Sequence, residues 1–171
     1  MTKKITYKIT ETNNKILSSD LIDNLKKIFS SKPIKRVLLI QPPDTDSKTF
    51  NFAAGKRGRL YNYPPYGLGI LASQLRNLNI KVDILNLNYE ILKNCQLSDT
   101  SNNFDFNKIW ETTTLKKIEK FKPEFVGITS MFSQSHEILV QLSNFLRNLN
   151  KKLIIGAGGV HVTNSITDPK T

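Results

Sequence analysis

Apolar residues fall along this chain in two alternating patterns: short unbroken runs, and segments where they recur every three or four positions. Leu17, Leu21, Ile22, Leu25, Ile28 and Phe29 follow the second pattern and predict an amphipathic helix. Ser18 or Ser19 can cap it, Asp20 and Asp23 suit its first turn, and Lys26 and Lys27 its last. Pro33 stops it. Unbroken runs at Lys35–Gln41, Lys81–Leu87, Pro123–Thr129 and Lys152–Gly156 read as strands covered on both faces. Helical spacing returns at 67–78, 109–121 and 135–149. Residues 42–66 read as a long loop and 93–107 as a polar connection.

Strands alternating with helices predict an α/β fold, a doubly wound parallel sheet built from right-handed crossovers, Rossmann- or flavodoxin-like. Such sheets usually have five or six strands. Only twelve residues follow Gly159, and they contain Asp168-Pro169. The expectation is therefore a domain, residues 33–171, truncated after its fourth strand or completed by another chain, behind a helical leader, residues 1–32. An open sheet edge leaves backbone donors and acceptors unpaired.

Composition narrows the function classes. Charged residues make up 23% of the chain and the hydrophobic set 39%, which is the balance of a globular protein. The net charge of +11 raises nucleic-acid binding. The basic residues are mostly scattered lysines, concentrated in residues 1–60, without the arginine forks and interleaved aromatics that phosphate and base recognition favour. Lys, Asn and Ile, the residues of A/T-rich codons, are abundant throughout, so a biased codon supply accounts for the excess. No apolar run reaches the length of a membrane span, and no apolar core follows the N-terminal lysines, so a cytoplasmic location is expected. One cysteine, Cys95, rules out an internal disulfide and any all-cysteine iron–sulfur site made by this chain alone.

In a sheet of this kind ligands bind beyond the carboxyl ends of the strands. Those ends read Gln41-Pro42-Pro43, Asn86-Leu87-Asn88, Thr129-Ser130-Met131-Phe132 and Ala157-Gly158-Gly159-Val160-His161. Ser130 offers a short hydroxyl, which can also satisfy backbone at a strand end. Gly158-Gly159 offers bare main chain to a bulky ligand, and equally suits a tight turn. Gly156 to Gly159 lacks the third spaced glycine and the following helix of a dinucleotide fingerprint, and Gly55-Lys56 lacks the rest of a phosphate loop. His136, His161 and Cys95 are too scattered for a metal site. Asp44 and Asp46 suggest the acidic cluster of a phospho-acceptor domain, but Thr129 stands where that site needs an aspartate.

The order of these motifs resembles a cobalamin-binding domain, of the variety that precedes the radical S-adenosylmethionine domain in a large enzyme superfamily. The resemblance spans residues 34–164. Ser130-Met131-Phe132 stands for the family's Ser-x-Leu, with Phe in place of Leu, and Gly158-Gly159 for its glycine pair. The family's Asp-x-His-x-x-Gly after strand one, whose histidine binds cobalt from below, is missing. Pro64-Pro65-Tyr66-Gly67 instead matches the Pro-Pro-x-Gly that opens the first helix in the radical-enzyme subgroup. The resemblance implies cobalamin held without a histidine lower ligand. It implies contacts from Gln41, Pro42, Pro43, Pro65, Tyr66, Gly67, Thr129, Ser130, Met131, Gly158, Gly159 and His161. No residue here is assigned a catalytic or metal-ligating role. S-adenosylmethionine and a [4Fe-4S] cluster would belong to a separate radical domain, in the same or another chain, since the Cys-x-x-x-Cys-x-x-Cys motif is absent here. Two rivals stay open: a flavodoxin-like nucleotide-binding enzyme domain, and a non-enzymatic domain that holds a partner through its basic leader.

Overall fold

The computed structural model describes residues 23–27, 29 and 33–167, and the chain divides into two units, residues 1–34 and 35–171. In the first unit residues 23–27 and 29 are helical. Leu17, Leu21, Ile22 and Ile28 of the expected amphipathic helix, with its Ser18, Ser19 and Asp20, lie outside the described residues.

In the second unit four strands form one parallel sheet: β1 (Arg36–Gln41), β2 (Lys81–Asn86), β3 (Phe125–Thr129) and β4 (Ile154–Gly158). Their order is β2-β1-β3-β4, the flavodoxin-like arrangement of the doubly wound fold. The helices are α1 (Phe52–Lys56), α2 (Tyr66–Asn77), α3 (Leu87–Leu97), α4 (Phe106–Phe121), α5 (His136–Leu149) and α6 (Val160–Thr167). From β1 the chain steps to one neighbour through α2. It then crosses back over β1 to β3 and goes on to β4. Right-handed crossovers in opposite directions put α2 on one face of the sheet and α4 and α5 on the other.

Register and burial show the two faces. Leu38, Ile40, Leu85, Val126 and Ile128 meet Leu87 and Ile91 of α3, Phe106 and Trp110 of α4, and Ile138, Leu142 and Leu146 of α5 in one cluster. Each large aliphatic side chain withdrawn from water there contributes about 1.5–3 kcal/mol. Val37 and Leu39 point to the opposite face, where α2 buries Leu68 and Ala72 and packs against β2. No helix among the described residues is long and apolar enough to cross a membrane.

Local chemistry shifts several boundaries from those the periodicity suggests. The second run stops being a strand at Asn86, whose Oδ1 accepts the Tyr89 N–H at 2.9 Å and caps α3. Leu87, Ile91, Leu92 and Cys95 then turn one face of α3 inward, across part of the segment read as a polar connection. Asn51 caps α1 in the same way inside the long loop, and Asp105 starts α4 at Phe106 rather than near Ile109. Lys122, at φ 50°, ends α4 in the left-handed region just before Pro123. The fourth strand runs two residues further than its apolar run, through Gly158, and a helix follows it where none was expected.

Glu124 fastens the other end of the sheet. Its Oε2 accepts the backbone N–H groups of Lys35 (2.7 Å) and Arg36 (3.0 Å), and the Arg36 guanidinium reaches Oε1 at 3.1 Å. The Lys35 amide, joined by the Arg36 amide and the two positive charges, holds the Glu124 carboxyl below the usual glutamate range. A depressed carboxyl stabilises the fold above its unfolded pKa, 4.5, and that contribution disappears as pH falls through the folded value. Glu124→Gln should therefore be less stable than wild type near neutral pH. In urea denaturation the gap should close as pH is lowered towards about 3. A gap independent of pH would show that charge is not the cause.

Thr114, fully buried on α4, has a hydroxyl without a hydrogen-bond partner. Thr114→Val removes that group at nearly constant shape, and the urea midpoint should hold or rise, by up to about 1 kcal/mol in stability. A clear loss would mean that the hydroxyl is satisfied.

Candidate functional site

The carboxyl edge of the sheet is built by backbone register. Gln41 lies beside Asn86, and Thr129 beside Gly158; Gln41 and Thr129 each follow the paired Ile40 and Ile128. All four lie on the α2 face. The gap between β1 and β3, where the chain's direction reverses, is the position at which doubly wound sheets take their ligands.

On β3 and β4 the row behind them is Gly127 and Gly156. A Cβ on Gly127 would lie 3.0 Å from Leu39 Cδ2, and one on Gly156 2.9 Å from Phe125 Cζ. Those two glycines therefore make room for the protein's own side chains. Gly158 differs: a Cβ there meets nothing within 4 Å, so this strand end borders open space. Gly159 differs again. It has φ +107°, and a Cβ would overlap the Ser130 carbonyl oxygen and lie 3.0 Å from the carbonyl carbon and amide nitrogen. Gly159 is required by the turn and by a close backbone approach.

Ser130 is the partner in that approach. Its N–H donates to the Gly158 carbonyl at 2.8 Å, and its own carbonyl accepts from the His161 N–H at 3.2 Å. Its side chain is 1% exposed, with Oγ 3.1 Å from Ser135 Oγ. Ser135 commits its one proton to the Phe132 carbonyl at 2.7 Å, so Ser130 is the donor in the hydroxyl pair. Ser130 thus fixes the β3 end to the β4 turn, while Met131 and Phe132, 53% and 52% exposed, stand at the rim.

The two histidines, far apart in sequence, come together. His136 Nδ1 and His161 Nε2 lie 2.9 Å apart, with their rings near perpendicular. One nitrogen carries the proton and the other accepts it. Cys95 is not with them: it is buried on α3, its thiol directed at the Phe52 carbonyl, and burial pushes it up from its ordinary pKa. No group of three potential metal ligands exists among the described residues.

Side-chain amides stitch the long loop to the strand ends. Buried Asn88 donates to Asp44 Oδ2 at 2.9 Å and to the Tyr61 carbonyl at 3.4 Å, and its Oδ1 accepts the Asp44 N–H at 3.2 Å. Asn86 donates to Asn62 Oδ1 at 3.0 Å. Burial raises the Asp44 carboxyl, opposed by the nearby Gln41 side chain and by the Asn88 amide. Gln41 Oε1 is buried without a partner. Pro42 and Pro43 are buried beneath the loop, and half-buried Pro65 precedes α2. Tyr61, Tyr63 and Tyr66 are largely exposed on the same connection, as is Gly67. The sequence reading placed Asn88 at a strand end and weighed Asp44 as part of an acidic cluster, but it missed their pairing with each other and the part played by Ser135. The available signal was polar residues directly after a strand.

The edge offers amide donors and acceptors, an open strand end and an aromatic rim.

The histidine pair supplies a test of this geometry. His136→Ala and His161→Ala should each cost about 0.5–1.5 kcal/mol, and the double variant little more than either, since one hydrogen bond is lost in all three. A urea double-mutant cycle measures this. Simple additivity would show that the imidazoles do not interact.

Comparison with protein-family models gives a match to the B12 binding domain over residues 57–168. No curated protein and no solved structure matched. The matched stretch holds α2, β2, β3, β4 and the Ser130 and Gly158-Gly159 edge, while β1 with Gln41, Pro42 and Pro43 precedes it. It takes in more than half of the chain, and the parallel sheet around it has the flavodoxin-like order of that fold. The chain belongs to the B12-binding domain family.

Proposed function

We propose that this chain is the cobalamin-binding module of a cobalamin-dependent radical S-adenosylmethionine enzyme, and that it holds cobalamin without a histidine lower ligand. The open strand end at Gly158 carries the reading, because it is bare where a buried nucleotide tail needs main chain to lie against. The orphaned Gln41 acceptor at the switch point fits a ligand rich in amide donors. When bound, cobalamin supplies a cobalt centre able to carry a methyl group.

This chain's own residues bind and orient. Thr129 and Gly158 form the floor on the α2 face, and Ser130 and Gly159 hold that floor rigid from behind. Pro42, Pro43, Pro65, Tyr66, Gly67 and Met131 form the proposed surround. The loop that follows β1 contains no histidine. His136 and His161 are engaged with each other at the ends of β3 and β4, which supports cobalt without imidazole beneath it. Any iron–sulfur cluster and S-adenosylmethionine site would come from a further domain or chain, since one cysteine cannot hold a cluster.

Titration followed by the visible bands of cobalamin tests the module. Gly158→Val places its side chain in open space, so the free protein should melt as wild type does. Cobalamin affinity should fall by roughly 5- to 150-fold, the equivalent of about 1–3 kcal/mol. Unchanged affinity in a folded Gly158→Val protein would remove the support for the tail site. Gly159→Val is not a substitute, because it disrupts the turn itself.

Electron paramagnetic resonance of the Co(II) form tests the lower face. No imidazole nitrogen splitting should appear, and His136→Ala and His161→Ala should leave the spectrum unchanged. A nitrogen splitting lost in either variant would overturn this part of the reading.

A further inference from the structure

Two imidazoles 25 residues apart in the chain meet beyond the ends of β3 and β4. His136 opens α5 and His161 lies in the first turn of α6, with Nδ1 of the one 2.9 Å from Nε2 of the other. The ring planes stand 80° apart. His136 is exposed and His161 half-buried, so water and ions reach the pair. Ser130 ties the backbone at both. Its carbonyl accepts the His161 N–H at 3.2 Å, and its hydroxyl donates to Ser135, the residue before His136, whose own hydroxyl binds the Phe132 carbonyl. The backbone positions of the two histidines are therefore set before any ligand arrives.

Imidazole nitrogen binds first-row transition ions at about 2.0–2.1 Å. Two nitrogens on one ion at a right angle then lie about 2.8–3.0 Å apart, whereas the tetrahedral angle needs about 3.3–3.4 Å. The observed 2.9 Å matches the right-angled case, the geometry of ions such as Ni²⁺ and Cu²⁺. In the free chain the two inner nitrogens share one proton. That proton can pass through water to the outer nitrogen of its own ring, which frees both inner lone pairs with no net loss of protons. Turning the exposed His136 ring then brings them to one point. No group of three metal-ligating side chains exists among the described residues, so the remaining coordination positions go to water. Two donors on elements tied to each other hold an ion better than either alone, because the second bond forms within the molecule.

We propose that His136 Nδ1 and His161 Nε2 form a two-imidazole site for a divalent transition ion of right-angled geometry, nickel or copper(II). The ion clamps the start of α5 to the start of α6 and so braces the ends of β3 and β4 beside Gly158. It is not the cobalt of cobalamin, and it binds with or without a corrinoid present.

The test uses the full chain without an affinity tag, stripped of metal by a chelator and free of cobalamin. Titration calorimetry with nickel chloride should give one ion per chain. Nickel at about 100-fold over its Kd should raise the melting temperature by about 5–10 °C. His136→Ala and His161→Ala should each lose at least about tenfold in nickel affinity, the loss that follows removal of even a residue that merely orients a ligand. His161→Gln leaves His136 a hydrogen-bonding partner that is not an imidazole. It should melt near wild type when metal-free and bind nickel no better than His161→Ala; it decides the matter if an alanine variant does not fold. Electron paramagnetic resonance with copper(II) should show splitting from two nitrogens in wild type and from fewer in each variant. A wild type that gives neither heat nor a melting shift with nickel, or a shift that the variants keep in full, would overturn this inference. So would a larger shift with zinc than with nickel, since that would require tetrahedral spacing.

Discussion

The position of β1 inside the parallel sheet constrains everything at the ligand edge. With β2 on one side and β3 on the other, the connections leaving β1 and returning past it run in opposite directions. Right-handed crossovers then carry the helices to opposite faces, and a gap opens at the carboxyl end of β1. Leu38 and Ile40 face the main cluster while Val37 and Leu39 face α2, so β1 needs an apolar side chain at four successive positions. Only at Gln41, where the strand leaves the core, does the alternation deliver a polar group, on the α2 face.

Two adjacent glycines on the far side of that gap do different work. Gly159 exists for the protein: its positive φ and its contact with the Ser130 peptide allow β4 to turn into α6. Gly158 has no such duty, since its missing side chain leaves space that the fold does not fill. The Ser130 hydroxyl, spent on Ser135, belongs with Gly159 on the supporting side. A motif read as one binding signature is thus a rigid backbone brace with one open position next to it.

The loop opposite is fixed largely by neutral groups. Despite a net charge of +11, its ties at the strand ends come from Asn86 and Asn88, with Asp44 as the one charged member. Neutral amides can be buried at lower desolvation cost than ion pairs and lose nothing to salt screening. They also leave the edge presenting directional donors and acceptors, suited to an uncharged ligand rich in amides. Away from the strand ends a lysine adds to the ties: Lys56 Nζ donates to the Gln96 and Ser98 carbonyls at the end of α3.

The sequence by itself determined the strand and helix alternation, and through it the α/β class and parallel sheet, because an unbroken apolar run and a 3.6-residue period are local signals. Pro64-Pro65-Tyr66-Gly67, Ser130 and Gly158-Gly159 were legible as motifs for the same reason. Tertiary structure decided what local signals do not encode. Asn86 ended a strand because its side chain found the Tyr89 N–H, and Gly158 joined β4 because Thr129 was there to pair with it. His136 and His161, separated by a whole helix, became neighbours only when β3 and β4 lay side by side, which placed the N-termini of α5 and α6 together. Gln41 Oε1 is buried by the chain that closes over the strand end, and that chain brings it no donor. Apolar spacing reports which face is buried, but it carries no record of which polar group, once buried, is left without a partner.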